Sequence, residues 1–398
     1  MPAASLPDDL RHEFANVNGI RMHYAEAGAG DPVLFLHGFP EMWYSWRHQL
    51  EAFAPGYRVI APDLRGYNET DAHPPYDVGT LMDDLRALLA HLGTPRAHIV
   101  GHDWGGHLAW MLAIRHPEAV RTLSVCNLPH PALMRKGLRT PAQLLRSWYI
   151  LAFQVPWLPE RAIAARGYQS LARSIIRDCH PGTFTRDDIR TYLASWREHG
   201  LRGGIEWYRA AARHPVLPAG PVPVLEMPVA LIWGEDDRVL GKELTRGTEA
   251  YASDFELHTL PGVSHWVHQE APEAVNAILL QRLWERGEYR YNPDEYHGPT
   301  LTYAALAAVR LTGVPDFDRL PEHVLRWVAV AAGVVVVLGM WLLRDALGPV
   351  GTVVAALGGA LSPAMVFYSR YFIHEMLLVA FSLLLLAAIL LMTACTAA

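Results

Sequence analysis

The chain has 398 residues, with 34 lysines and arginines against 40 aspartates and glutamates, so its formal net charge is −6. This charge balance provides no basic surface for nucleic acid, and we expect no nucleic-acid partner. Cys126, Cys179 and Cys395 have neither the spacing of a metal site nor a paired pattern, which indicates a fold that does not depend on disulfide bonds. Residues 1–11 contain no apolar run and therefore do not predict a secretory signal.

The first part of the chain alternates short apolar strands with helical patterns. Asn18-Gly19, between two strand-like runs at residues 14–17 and 20–24, predicts a β-hairpin. The further predicted strands are residues 32–36, 57–61, 98–101, 119–126, 229–233 and 255–260, and the predicted helices are residues 81–92, 104–115 and 271–283. Alternation of this kind indicates a mostly parallel sheet that is covered by helices on both faces.

Residues 101–106, Gly-His-Asp-Trp-Gly-Gly, have the pattern of a sharp turn that lifts a nucleophile above a sheet, as in the α/β-hydrolase fold. Esterases and lipases carry serine at the central position, whereas this chain carries Asp103. A carboxylate is ionised at neutral pH and needs no base to attack a saturated carbon, such as that of an epoxide or an alkyl halide. The elbow therefore predicts a covalent aspartyl ester that water must then cleave.

The strand–helix alternation stops in the middle of the chain. Residues 129–221 are rich in helical patterns, arginine and aromatic side chains, which predicts a helical cap. This cap divides the α/β-hydrolase core into a first part, residues 1–128, and a second part, residues 222–284. We therefore predict the α/β class, with a hydrolase core and an inserted helical cap domain.

His265 is the predicted base of the site. In this fold an acid and then a histidine follow the nucleophile along the chain. Glu235, Asp236 and Asp237 follow one predicted strand; Asp237 is preferred because of its distance from that strand, and Asp236 is the next candidate. We expect the acid to orient His265, which activates the water that cleaves the Asp103 ester.

Two further roles require hydrogen-bond donors. Hydrolysis of the ester develops an oxyanion, which the backbone N–H groups of Phe39 and Trp104 are expected to bind. Opening an epoxide also requires a proton on the leaving oxygen, and tyrosine is protonated at neutral pH. Tyr149 and Tyr208, both within the predicted cap, are the candidates. A halide leaving group would instead favour indole N–H donors and would need no acid.

Residues 12–283 resemble the soluble epoxide hydrolases of the α/β-hydrolase superfamily. The resemblance is carried by His-Gly-Phe-Pro-Glu at residues 37–41, the elbow at residues 101–106, Asp237, and the pair His265-Trp266. It implies conversion of a small-molecule epoxide to a vicinal diol, without a metal or an organic cofactor.

The resemblance also implies roles for individual side chains. Tyr149 and Tyr208 would hold the epoxide oxygen during ring opening. The side chains expected to line the substrate pocket are His37, Pro40, Trp104 and Trp266. Of the histidines near the elbow, His102 and His107 are interpreted as structural, and His98 is interpreted as a surface residue.

Two alternatives to epoxide hydrolysis remain open. Haloalkane and fluoroacetate dehalogenases also use an aspartate nucleophile, but the fluoroacetate enzymes place arginines near the elbow to hold a carboxylate. Trp104 and His107 stand there in this chain, which argues against a small anionic substrate. The second alternative is a membrane protein in which the hydrolase half is only an appendage.

The chain becomes strongly apolar near its C-terminal end. Residues 327–343, 346–369 and 376–398 are uncharged, and crossing a bilayer takes about 17–25 apolar residues. After a linker at residues 285–325, residues 326–398 are therefore predicted to form a membrane region of about three helices. Without a secretory signal, we expect a multi-pass membrane protein whose hydrolase domain lies on the cytoplasmic side. The lipid bilayer is then a predicted partner, and apolar epoxides are the expected substrates.

Residues 285–398 carry a second resemblance, to a fragment of a multispanning membrane glycosyltransferase-like family of the dolichyl-phosphate-mannose mannosyltransferase type. Residues 288–293, Glu-Tyr-Arg-Tyr-Asn-Pro, and the Ser-Pro to Ser-Arg-Tyr stretch at residues 362–371 carry it. The hydrolase occupies the place of that family's first span and acidic catalytic loop, so no glycosyl transfer is predicted. A fused or truncated reading frame would also account for the junction near residues 284–286.

Overall fold

A computed structural model of the protein describes residues 6–214, Leu217 and residues 221–284. The linker and the three predicted membrane helices lie outside these residues. Within the described ranges, no helix is both long enough and apolar enough to cross a membrane.

In the described part of the chain, eight strands form one mixed sheet in the order β1-β2-β4-β3-β5-β6-β7-β8. The strands are β1 (Arg11–Val17), β2 (Ile20–Ala27), β3 (Asp31–Leu36), β4 (Tyr57–Pro62), β5 (Ala97–His102), β6 (Val120–Cys126), β7 (Val229–Gly234) and β8 (Phe255–Leu260). β1 and β2 form the predicted hairpin, and Asn18 and Gly19 have φ values of 45° and 78°, which this type of turn requires. β2 also pairs antiparallel with β4, and the remaining pairs are parallel.

The helices of the described residues are α1 (Arg47–Phe53), α2 (Val78–His91), α3 (Asp103–Arg115), α4 (Pro131–Gly137), α5 (Pro141–Arg146), α6 (Trp148–Ala152), α7 (Leu158–Ala164), α8 (Gln169–Asp178), α9 (Arg186–His199), α10 (Arg202–Arg213), α11 (Val267–Glu270) and α12 (Pro272–Trp284). α4 to α10 lie between β6 and β7, where the sequence predicts the cap. The helix predicted at residues 271–283 is confirmed as α12, and the short helix α11 precedes it. Ala271 between them has φ −129° and ψ 55°, because a residue before proline disfavours the helical conformation.

Helices cover both faces of the sheet. On one face, α2 and α3 contribute Leu85 and Leu108 to a core with Leu34 of β3. On the other face, α1 and α12 contribute Leu50 and Val275 to a second core. Every residue of the central strand β5 is therefore buried.

His98 corrects one expectation from the sequence. It lies on β5 and is 2% exposed rather than a surface residue, and its Nδ1 is 2.8 Å from the hydroxyl of Thr122 on the neighbouring strand. The side chains of a central strand are buried on both faces of the sheet, so a polar residue there must pair with a neighbour.

The cap is attached to the core by buried polar contacts. Trp196 of α9 donates its indole N–H to the carbonyl of Pro40 at 2.8 Å, and Trp207 of α10 donates to the carbonyl of Arg65 at 3.0 Å. Asp188 of α9 pairs with the buried Arg47 of α1 at 3.0 Å. These contacts hold the cap above the carboxyl ends of the strands, where the elbow lies.

Candidate active site

Asp103 stands at the turn between β5 and α3. Its φ of 48° is unusual for a residue other than glycine, and a strained backbone of this kind is typical of functional turns. A Cβ atom on Gly105 would collide with the carbonyl of Leu36, and one on Gly101 would collide with the backbone of Gly105. Glycine at these positions is what lets α3 approach the sheet and lift Asp103 above it.

The loop after β3 closes over the nucleophile. The backbone N–H of Phe39 donates a hydrogen bond of 2.9 Å to Asp103 Oδ1. Gly38 approaches so closely that a Cβ atom there would collide with Asp103. One of the two expected oxyanion donors therefore already contacts the carboxylate, and the other, Trp104, follows Asp103 directly at the start of α3.

His265 lies between the two carboxylates of the site. Its Nδ1 is 2.8 Å from Asp237 Oδ2, and its Nε2 is 3.6 Å from Asp103 Oδ2. Of the three acids considered from the sequence, Asp237 is buried against His265, whereas Asp236 is exposed and Glu235 lies 3.7 Å from Lys242. The structure thus brings nucleophile, histidine and acid together in the chain order expected for this fold.

Asp237 is held by a set of donors that the sequence did not reveal. Its Oδ1 accepts the backbone N–H groups of Val239 and Leu240 at 2.7 and 2.8 Å, and its Oδ2 accepts the side-chain amide of Asn127 at 2.7 Å. Asn127 also accepts the N–H of Gly234 at 2.9 Å. It follows β6 directly, so its position at the carboxyl end of a central strand is the signal that could have identified it.

The charges of the site stabilise one another. Burial acts to raise the pKa of Asp103, but the hydrogen bond and charge of His265, the charge of His102 and the Phe39 N–H hold it below its ordinary value. Burial acts in the opposite direction on His265, yet Asp237 and Asp103 raise its pKa well above the ordinary value. In the free site the two carboxylates therefore favour the protonated form of the His265 imidazole.

Two cavities meet at Asp103, the predicted nucleophile. The larger has a volume of about 500 Å³ and the smaller about 250 Å³, and Asp103, Tyr149 and Tyr208 line both. The smaller cavity is mostly apolar, with walls that include Leu128, Met134, Leu138, Ile150 and Leu240. The two tyrosines from α6 and α10 therefore border the same space as the nucleophile, as the sequence led us to expect.

Tyr208 is at the centre of an aromatic cluster. Its ring meets those of Phe39, Trp104 and Phe153 edge-on at 5.6, 5.1 and 5.0 Å between centroids, and that of Tyr149 at 5.9 Å. Burial, reinforced by the charge of Asp103, raises the pKa of both tyrosines. Both phenols are consequently protonated over the physiological pH range and can donate.

The expected pocket residues do not all reach the cavities. Pro40 and Trp266 line the larger cavity, and Trp104 lines the smaller one together with His107. His37 lines neither: it is fully buried, and its Nε2 accepts the backbone N–H of Leu64 at 3.0 Å. His37 therefore supports the loop behind Phe39 and does not face the substrate space.

Among the described residues, one group has ligating atoms close enough together to suit a metal ion. It consists of Glu41, His102 and His268, whose ligating atoms all lie within 4.8 Å of one another. Glu41 and His102 already hold the loops of the site through hydrogen bonds. Glu41 accepts the N–H of Gly38 at 3.0 Å and the amide of Gln269 at 2.6 Å. His102 contacts both neighbouring loops. Its Nδ1 is 2.8 Å from Glu41 Oε2, and its Nε2 is 2.9 Å from the carbonyl oxygen of His265. This cluster ties the oxyanion loop, the elbow and the His265 loop together.

The fold and the site together define a class of protein. The sheet order, the strained elbow and the buried Asp–His–Asp arrangement are those of α/β-hydrolases. A family model described as "alpha/beta hydrolase fold" matches residues 31–272. The chain belongs to this family, and it is a hydrolase enzyme.

Individual relatives extend this result. The AB hydrolase superfamily protein YfhM of Bacillus subtilis is 38% identical over 285 residues, which is 69% of this chain and 99% of the relative. Epoxide hydrolase 4 of Homo sapiens is 38% identical over 286 residues, 67% of this chain and 77% of the relative. Among solved structures, an epoxide hydrolase of Bacillus megaterium in complex with an inhibitor has 32% identity and a TM-score of 0.64, covering 68% of this chain and 99% of that one.

Proposed function

We propose that the protein is an epoxide hydrolase that forms a covalent ester on Asp103. The observation that carries this proposal is the shared space between one ionised carboxylate and two protonated phenols, which Asp103, Tyr149 and Tyr208 all line. A carboxylate nucleophile and two hydroxyl donors are the groups that ring opening of an epoxide requires. Similarity to proteins named as epoxide hydrolases supports the same reaction.

In the first step, an oxygen of Asp103 forms a bond with one epoxide carbon while the bond from that carbon to the epoxide oxygen breaks. Tyr149 and Tyr208 hold the departing oxygen, which takes a proton from one of their hydroxyl groups. The product is a hydroxyalkyl ester of Asp103. Indole donors alone would suffice for a halide, so the pair of phenols favours an epoxide over an alkyl halide.

In the second step, His265 takes a proton from a water molecule, which attacks the ester carbonyl of Asp103. The resulting oxyanion would be bound by the N–H groups of Phe39 and Trp104. Its collapse breaks the bond between the acyl carbon and the alkoxy oxygen, which takes the proton of the added hydroxyl, so the diol leaves and the carboxylate of Asp103 forms again. The tyrosine deprotonated in the first step regains a proton, balanced by the one that His265 gives up before it acts as the base. Formation of the ester removes the negative charge of Asp103, which is one of the groups that raise the pKa of His265. Alkylation therefore shifts His265 from imidazolium towards the neutral base that the second step needs, while Asp237 fixes the orientation of the ring.

The proposal predicts an ester that accumulates when the base is removed. In the variant His265→Gln, the first step proceeds and the second is blocked, so mass spectrometry after one turnover should find the peptide containing Asp103 heavier by the mass of the epoxide. Asp103→Asn is the matched control and should stay unmodified. An unmodified peptide in His265→Gln, or release of halide without turnover of epoxides, would contradict the proposal.

We further propose that residues 327–343, 346–369 and 376–398 attach the protein to a lipid bilayer, with the hydrolase domain on the cytoplasmic side. Their lengths and lack of charge support this arrangement. A bilayer concentrates apolar compounds, so apolar epoxides are the substrates this arrangement favours. The resemblance of residues 285–398 to a glycosyltransferase-like family adds no second activity to the proposal.

A further inference from the structure

Part of the cap presents large apolar side chains to solvent. Leu145, Trp148, Leu151 and Trp157 are 77%, 66%, 69% and 61% exposed. We define the cap face as these four residues together with the exposed Leu144, Val155 and Leu158. It extends from α5 through α6 to the start of α7. A cluster of large exposed apolar side chains within a short stretch of chain is typical of an interaction site.

The exposed apolar residues belong to successive short elements of the cap. Leu144 lies on α5, Trp148 and Leu151 lie three residues apart on one face of α6, and Val155 follows α6. Tyr149 and Phe153 of the same segment are less exposed and line the larger cavity. The segment is thus apolar on both sides, although solvent faces only one of them. Helices that are apolar all round are expected in a protein core or in contact with lipid.

The charge of this region is opposite to that of the whole chain. Residues 131–180 contain eight arginines and lysines against two acidic residues, whereas the complete chain has a net charge of −6. The exposed Arg146 and Arg177 line the larger cavity together with Trp148 of the cap face. Because Trp148 is both exposed and part of the cavity wall, the cavity reaches the surface beside the cap face.

We propose that the cap face docks on the surface of an anionic phospholipid bilayer. Leucine and tryptophan side chains enter the boundary between headgroups and acyl chains, and the surrounding arginines and Lys136 bind the headgroups. The same face on a second copy would bring two positively charged surfaces together, so charge favours the bilayer over self-association. Docking would present the larger cavity to the lipid, so that an apolar epoxide enters from the bilayer; this last step rests on the proposed function.

A fluorescent probe can test docking independently of activity. The full chain, with Cys395→Ser, would be labelled with an environment-sensitive probe at Leu145→Cys or, as control, at Leu257→Cys, which replaces an exposed leucine of β8. Both proteins would be reconstituted in phosphatidylcholine vesicles with or without phosphatidylglycerol. We expect lipids with brominated chains to quench the probe at position 145, more strongly with phosphatidylglycerol, and to leave the probe at position 257 unaffected. Equal quenching at both positions, or none at position 145, would overturn the proposal.

Kinetics then test delivery of substrate. In the double variant Leu145→Glu, Leu151→Glu, we expect hydrolysis of an epoxide dissolved in the vesicles to fall by about tenfold or more, since two leucines lose their burial in lipid. Hydrolysis of a short water-soluble epoxide should be unchanged, and Leu257→Glu should affect neither substrate. Failure of the unmodified protein on both epoxides would refute the proposed function but not docking. The unmodified protein could instead have twice the mass of one chain in solution, and the double variant the mass of a single chain. That result would show that the cap face binds a second copy, and it would refute docking.

Discussion

At the scale of single residues, the site depends on the coupling of Asp103 with His265. The imidazole lies 2.8 Å from Asp237 and 3.6 Å from Asp103, and both carboxylates raise its pKa against the effect of burial. In the proposed reaction, one of these charges is lost when Asp103 becomes an ester. The same side chain can therefore be a charged partner before the reaction and a base during it.

This coupling predicts the direction of a pKa change. Asp103→Asn keeps an oxygen for the Phe39 N–H but removes a negative charge beside His265, so the pKa of His265 should fall. Titration of the imidazole protons by NMR measures the change, and the exposed Asp236→Asn is the control that should leave it unaltered. An unchanged or higher pKa of His265 in Asp103→Asn would show that the proposed change of role does not occur.

At the scale of elements, the contact between α9 and α1 holds the cap. Asp188 pairs with Arg47 at 3.0 Å and accepts the hydroxyl of Tyr44 at 2.9 Å. Burial acts to raise the pKa of Asp188, but the charge of Arg47 and hydrogen bonds from Thr185 and Tyr44 hold it below the ordinary value of 3.8. The pair therefore joins cap and core through a carboxylate that is ionised at neutral pH.

Breaking this pair is expected to destabilise the fold. Asp188→Asn leaves the guanidinium of Arg47 buried without its counter-charge. We expect this change to lower the free energy of unfolding by about 3 kcal/mol. Urea titration at neutral pH measures the loss. Because the pKa of Asp188 is lowered on folding, its ionised form stabilises the protein above pH 3.8. That contribution is lost as the pH falls through the pKa that Asp188 has in the folded protein. The difference in unfolding free energy between the unmodified protein and Asp188→Asn should therefore shrink in that pH range.

The neighbouring Asp187 provides a matched control. Its side chain is 84% exposed in a pair with Arg190 one turn away, and exposed pairs contribute little. Asp187→Asn should change the unfolding free energy by no more than about 0.5 kcal/mol. Equal losses in the two variants would mean that Asp188 has no special role in holding the cap.

At the scale of the whole molecule, the question is where the hydrolase domain lies relative to a membrane. The proposed arrangement attaches the chain through residues 327–398 and leaves the domain on the cytoplasmic side. A protease added to intact cells should therefore leave the hydrolase domain uncut, and the same protease should cut it once the cells are permeabilised. Cleavage in intact cells would place the domain outside.

Predictions from the sequence succeeded where a local pattern has one structural meaning. Asn18-Gly19 predicts a hairpin because both positions must adopt positive φ, and the hairpin is confirmed. The glycines around Asp103 predict a tight elbow because side chains there would collide with the neighbouring backbone. The helix predicted at residues 271–283 is likewise confirmed, and it begins at Pro272 because proline suits the first position of a helix and the residue before it disfavours the helical conformation.

The sequence by itself determined the chemical groups of this protein: an aspartate at an elbow, an acid and a histidine after it, and tyrosines in a cap. Their chain order follows from the topology of the fold, so it can be recognised without coordinates. Only the tertiary structure decided that Asp237 rather than Asp236 contacts His265, that Asn127 and Glu41 hold the loops, that His37 lies behind the pocket, and that the cap face is exposed. Each of these depends on how segments meet in space, and such contacts leave no periodic trace in a single sequence.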